Sequence, residues 1–189
     1  MIVLSRFGEG FDTGPSVSKE HWLVEQSGVV FGMFSEMLNG PNLWKGMLFL
    51  ETGRAPAVNM KPLYAVWDAN NLAEMEICGW WNTTEAGCFG AATSEPEAVP
   101  LTVYRCAHCS ATKSNGPAAL LAIASFAMGP TNVTVTADWT ALGFEPGKVE
   151  LQAPAIAGFQ VARTFEIGQA ILVAEAQGWL LVVAEKHER

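Results

Sequence analysis

From residue 101 onward the apolar residues come in short runs, broken about every ten to fifteen residues by turn signals. The runs are "LTVYR", "AALLAIASFA", "NVTVTADW", "VELQAP", "ILVAEA" and "GWLLVVAEK". Gly129-Pro130, Pro146-Gly147 and Gly178 are the clearest breaks. Val133, Val135 and Ala137 alternate with threonines, the pattern of a strand with one wet face. "TALGFEPGK" reads as a short helical turn between strands. Several short strands over this length predict a small antiparallel β-sandwich over 101–189.

Residues 1–81 read differently. Val29 to Phe34 and Trp44 to Leu50 are apolar strand candidates, with the Asn39-Gly40-Pro41-Asn42 turn between them and a glutamate, Glu36 or Glu51, just past each. Pro62 sits where a helix would start. Leu63, Val66, Trp67, Leu72, Met75 and Ile77 then follow at near-helical spacing, with Asn70-Asn71 as a point of interruption. Near-continuous apolar strands followed by a helix are the signature of a parallel sheet buried on both faces. Residues 82–100, "NTTEAGCFGAATSEPEAVP", are small, polar and Pro/Gly-bearing, and read as a linker or loop.

Of the 189 residues, half are hydrophobic and 16% are charged, enough for a sizeable core in one large domain or two small ones. The net charge of -8, with no basic cluster, argues against nucleic acid and anionic membrane surfaces as partners. The apolar runs fall well short of the ~20 residues of a membrane-spanning helix. The first residues carry neither a basic segment nor a long apolar one, so a cytoplasmic location is expected. The sequons at Asn82 and Asn132 then read as chance matches.

The four cysteines are Cys78, Cys88, Cys106 and Cys109. Cys106-Ala-His-Cys109 is a C-x-x-C, open to three readings: zinc ligands, a redox dithiol, or plain thiols and a disulfide. Zinc wants a second ligand pair, which Cys78 and Cys88 do not offer at a finger or ribbon spacing. A thioredoxin-type motif should open a helix, whereas this one lies in what reads as a hairpin loop. His21, His108 and His187 form no ligand spacing. No metal site and no cofactor are expected.

Asp138 to Gly143 (Asp-Trp-x-x-Leu-Gly), Ala153 to Gln160 (Ala-Pro-x-Ile-x-x-Phe-Gln) and Gly178 to Leu181 (Gly-Trp-Leu-Leu) resemble the C-terminal β-sandwich of a family of bacterial glycoside-hydrolase-like proteins. "FGEGFD" (7–12), "WLVEQSG" (22–28), "FGMFSEML" (31–38) and "LWKGMLFLETGR" (43–54) resemble the last strands of the same family's (β/α)-barrel. The resemblance implies an α+β chain: a partial (β/α)-barrel remnant over 1–81, a linker over 82–100 and a β-sandwich over 101–189. A whole barrel takes about 250 residues, so only its last part is expected here. The loop over 106–117 is enlarged relative to the family.

Barrel active sites lie at the C-terminal ends of the strands. Glycosidic hydrolysis uses paired carboxyl groups, ~5 Å apart for retention and ~6.5–9.5 Å for inversion. Glu9, Asp12, Glu36 and Glu51 lie just past the presumed strand ends. Glu36 and Glu9 are the expected catalytic pair, since both fall inside family-like motifs. Asp12, Trp44, Glu51 and Arg54 are the expected substrate-binding residues, and carbohydrate is the expected partner. Trp44, Trp80 and Trp81 lie near presumed loops, where an indole stacks on a sugar, while Trp67, Trp139 and Trp179 read as core. Strand-end acids are commonly just solvated, so a non-catalytic binding or structural module is the competing reading. A barrel remnant leaves sheet edges unpaired, so a homo-oligomer is expected.

Overall fold

The computed structural model describes Trp44 and residues 61–80, 92–106, 118–175 and 177–186. The strand expected at 29–34, and all but the first residue of the one expected at 44–50, lie outside them. Trp44, expected to begin a strand, is helical.

Helix α1 spans Lys61–Ala69 with Pro62 as its second residue, where the missing N–H costs no intrahelical bond. It stops earlier than the apolar spacing predicted. The Asn70 side-chain amide donates to the Val66 carbonyl at 2.8 Å, and Asn71 turns left-handed at φ 54°. A 3-10 turn, Leu72–Glu74, and strand β1, Glu76–Cys78, follow. Leu72 and Met75 keep helix-like spacing because they pack in the same cluster as Leu63, Val66 and Trp67. Ile77 instead points to solvent, 44% exposed.

The remaining strands are β2 (Ala92–Glu95), β3 (Leu101–Cys106), β4 (Ala118–Ala124), β5 (Thr131–Ala137), β6 (Val149–Ala153), β7 (Arg163–Glu166), β8 (Ile171–Val173) and β9 (Gly178–Glu185). They form a six-stranded sheet in the order β1-β3-β4-β9-β6-β7 and a three-stranded sheet, β2-β5-β8. Every pairing is antiparallel. Most of the expected strands are present, including the alternating one, where Val133 and Val135 are buried and Thr134 and Thr136 exposed. Strands β1, β2 and β7 were not expected. β2 falls inside the stretch read as a linker, and β1 joins residues read as barrel to the sheet of the second half.

One core takes residues from both sheets. Val103, Leu121, Ile123, Leu151, Phe165, Leu181 and Val183 of the larger meet Val133, Val135, Ile171 and Val173 of the smaller. The opposite face of the larger sheet carries a second cluster, in which Tyr104, Leu120, Ala122 and Leu180 meet Leu63, Leu72 and Ile156. β3 and β4 are therefore buried on both sides, which explains the unbroken apolar run of β4. Full burial of each large aliphatic side chain contributes about 1.5–3 kcal/mol. Farther along that second face the sheet turns polar. There Gln152 donates to Glu150 at 2.7 Å and Lys186 to Glu166 at 2.5 Å.

The Asp138 to Gly143 motif is a reverse turn after β5. The Asp138 carboxylate accepts from the Ala141 N–H at 2.9 Å, and its carbonyl accepts from Leu142 at 3.1 Å. Gly143 sits at φ 93°, a conformation that favours glycine. The turn drives Trp139, Leu142 and Phe144 into the core between the sheets.

Candidate functional site

The described residues enclose a cleft of about 480 Å³ between the 156–161 turn and the start of β9, with Phe159, Gln160, Gln177 and Trp179 in its lining. The turn closes on itself through a bridge between Ile156 and Gln160. Gly158, at φ 84°, forms its tip.

Gln160 holds this turn to the sheet. β6 pairs with β9 only as far as Gln152 opposite Val182. Beyond that point the Gln160 amide takes the place of a strand residue. It accepts from the Leu180 N–H at 2.9 Å, donates to the Leu180 carbonyl at 2.9 Å, and donates to the Pro154 carbonyl at 2.8 Å. A primary amide can do this because it carries both a donor and an acceptor, as a peptide does. Gln160→Ala is expected to cost about 1–3 kcal/mol by leaving these backbone groups unmatched. Gln160→Glu keeps the acceptor but sets a carboxylate against two carbonyl oxygens, and should be no better. Urea unfolding midpoints check both.

Trp179 forms the other wall and joins the two sheets. Its indole N–H donates to the Leu172 carbonyl of β8 at 3.0 Å. Its ring meets Phe165 edge-on at 5.4 Å, and the Arg163 guanidinium lies 5.1 Å from the Phe165 centroid. Gly178 admits β4 at its foot, where a side chain would strike the Ile123 carbonyl.

The cleft is thus an aromatic and amide surface, and no carboxylate is among its described lining residues. It offers stacking and hydrogen bonding rather than proton transfer. The Lys148 ammonium is held above its ordinary pKa range by its hydrogen bond to Glu145, at 2.9 Å. That exposed pair sits at the other end of β9 from Gly178, near Glu185.

Glu9, Asp12, Glu36, Glu51 and Arg54 lie outside the described residues. Of the expected site residues only Trp44 is placed. Its ring meets Phe159, a residue of the cleft lining, edge-on at 6.0 Å. Trp139 is buried as expected, while Trp67 and Trp179 are half-buried. Trp80, expected in a loop, follows β1, and its backbone N–H donates to the Thr102 hydroxyl at 3.2 Å. Gln160 was not singled out from sequence. The signal available was its place at the end of the Ala153 to Gln160 motif.

Cys78 and Cys106 are both disulfide-bonded. A bridged Cys106 sulfur is not a zinc thiolate, and the bridge accords with the disulfide reading. Among the described residues no three His, Cys, Asp or Glu side chains gather to hold a metal. Nor does any described helix have the length and apolar character to cross a membrane.

The model of the glycoside hydrolase 123 C-terminal domain matches residues 59–184, two-thirds of the chain. That of the glycoside hydrolase 123 TIM-barrel domain matches residues 3–56. No curated protein and no solved structure matches the chain. The three quoted motifs of the second half lie within the first match, and their described roles are a turn, a strand clamp and a tight strand crossing. The chain belongs to the glycoside hydrolase 123 family.

Proposed function

We propose that this chain contributes to hydrolysis of glycosidic bonds, with acid/base chemistry supplied by carboxylates of its N-terminal part. One observation carries the reading: Glu9, Asp12, Glu36, Glu51, Arg54 and Trp44 all fall in the stretch that matches the family's TIM-barrel domain. Glu36 and Glu9 are the acid and its nucleophile or base partner. Asp12 and Glu51 accept hydrogen bonds from sugar hydroxyls, and Arg54 offers a planar fork to an anionic or carbonyl group. Trp44, in the same matched stretch, offers an indole face for stacking on a sugar ring. The two sheets act as an accessory β-sandwich, a role supported by the match of residues 59–184 to the family's C-terminal domain.

Release of aryl alcohol from a panel of aryl glycosides tests this. Turnover that stays at the uncatalysed rate for every sugar removes the enzymatic reading. The competing reading, a non-catalytic carbohydrate-binding or structural module, is favoured by the cleft, whose polar groups serve the fold. Under that reading the same sugars bind, measured by calorimetry, without being cleaved.

The barrel-type match covers far less than the roughly 250 residues of a closed barrel. We further propose that these 189 residues, expressed by themselves, associate so that copies cover one another's strand edges, a two-fold pair being the commonest solution. Light scattering at micromolar concentration should give a dimer mass or higher. A concentration-independent monomer would show that the chain covers its own edges.

A further inference from the structure

The cleft between the 156–161 turn and the start of β9 encloses about 480 Å³, within the range of roughly 300–1,000 Å³ that small-ligand sites occupy. Its described lining carries no Asp, Glu, Lys, Arg or His. A charged ligand would find no counter-ion there, so the cleft favours an uncharged one. Two aromatic rings, Phe159 and Trp179, stand in the lining, and both are half-buried. Trp179 is held from two sides, by its indole N–H on the Leu172 carbonyl and by its edge-on contact with Phe165. With that N–H already engaged, the ring offers a ligand its carbon surface.

The two glutamines of the lining differ. Gln160 commits its amide to the Leu180 and Pro154 backbone. The Gln177 side chain is exposed and makes no hydrogen bond among the described residues. Its backbone, by contrast, is anchored on both sides. The Gln177 N–H donates to the Ala174 carbonyl at 3.1 Å, and its carbonyl accepts from the Ser125 N–H at 2.7 Å. The cleft therefore has an open primary amide on a fixed root. Such an amide both donates and accepts, as a hydroxyl does.

A fixed aromatic carbon surface beside an open amide matches a sugar ring, which shows C–H groups on its face and hydroxyls around its rim. We propose that this cleft binds an uncharged saccharide, one ring packed on Trp179 and its hydroxyls bonded to the Gln177 amide. The inference rests on carbohydrate as the chain's ligand class, and places a binding site among residues that match the family's C-terminal domain. The walls are set before a ligand arrives, through the Ile156 to Gln160 bridge, the Gln160 clamp and the Trp179 bond. Binding then orders little beyond the Gln177 side chain.

Calorimetric titration of the 189-residue chain with thio-linked disaccharides of glucose, galactose and N-acetylglucosamine tests this, because a sulfur linkage resists glycosidases. At least one should bind with a Kd of about 1 mM or tighter, the scale for one stacked ring and a few hydrogen bonds. Gln177→Ala should weaken it about 2–10-fold, one hydrogen bond's worth. Val161→Arg should abolish it, since Val161 is in the lining and 70% exposed, and a long side chain there fills the cleft. Both positions are exposed, so Tm should stay within about 2 °C in each variant. The inference is overturned if none of the disaccharides binds, if binding survives Val161→Arg, or if Gln177→Ala leaves it untouched. Equal affinity for cyclohexanol, a six-membered ring with one hydroxyl, would show a merely apolar pocket and overturn the ligand class. Aryl glycoside turnover is read separately. Turnover without cleft binding removes this inference alone, and cleft binding without turnover removes the catalytic reading alone.

Discussion

Glu36→Gln is expected to lower glycosidase turnover by about two to four orders of magnitude, the scale for removing a general acid or base. Glutamine keeps the shape and the hydrogen-bonding reach of glutamate but holds no exchangeable carboxyl proton. Binding of the uncleaved sugar should therefore persist while kcat falls. Glu36 falls between the candidate strand Val29 to Phe34 and the Asn-Gly-Pro-Asn turn, in the part that matches the TIM-barrel domain. A solvated glutamate at a strand end would behave otherwise, since its neutral replacement shifts stability by less than about 0.5 kcal/mol and leaves the rate alone. The measurement is kcat and KM on the best aryl glycoside, with Tm alongside. Unchanged kinetics would take Glu36 out of the mechanism, and a fallen Tm with the lost rate would make it a folding residue.

Gly178→Ala is expected to destabilise the fold by about 3 kcal/mol, the upper end for overpacking a filled site. A Cβ at Gly178 would stand 1.9 Å from the Ile123 carbonyl oxygen and 2.9 Å from its carbon. Both are backbone atoms of a central strand, so no side chain can swing away. β4 and β9 would have to part where Ala124 faces Gly178. That parting would also strain the Ser125 N–H bond to the Gln177 carbonyl, 2.7 Å long. For a domain of this size the loss corresponds to a Tm lower by roughly 6–12 °C. Gly129→Ala is the control, because nothing lies within 4 Å of its Cβ position, and its Tm should stay within about 2 °C. Equal Tm values for the two variants would contradict the close crossing at Gly178.

The resemblance drawn from Asp138 to Gly143, Ala153 to Gln160 and Gly178 to Leu181 and the family matches agree. The reason those short stretches carry it lies in their geometry. A left-handed glycine, a side-chain amide standing in for a strand and a glycine with a carbonyl against it each tolerate little else. The candidate catalytic set is a different matter. Strand-end carboxylates are legible as residue types in sequence, but which two converge depends on strand order, which local pattern does not contain.

By itself the sequence determined that the second half is built of short strands, because alternation in "TNVTVTA" and turn residues between runs act within a few residues. It also determined that a helix begins at Pro62 and meets an obstacle at Asn70-Asn71. Only the tertiary structure decided how far that helix runs. Leu72 and Met75 reach the same cluster as Leu63 from a 3-10 turn and the residue before β1, so helical spacing persists where the helix has ended. Only the tertiary structure, too, assigned β2, β1 and β7. These are short edge elements of three or four residues. Such segments are too short for a periodic signal, and they exist because the neighbouring strands offer unpaired backbone groups at long range.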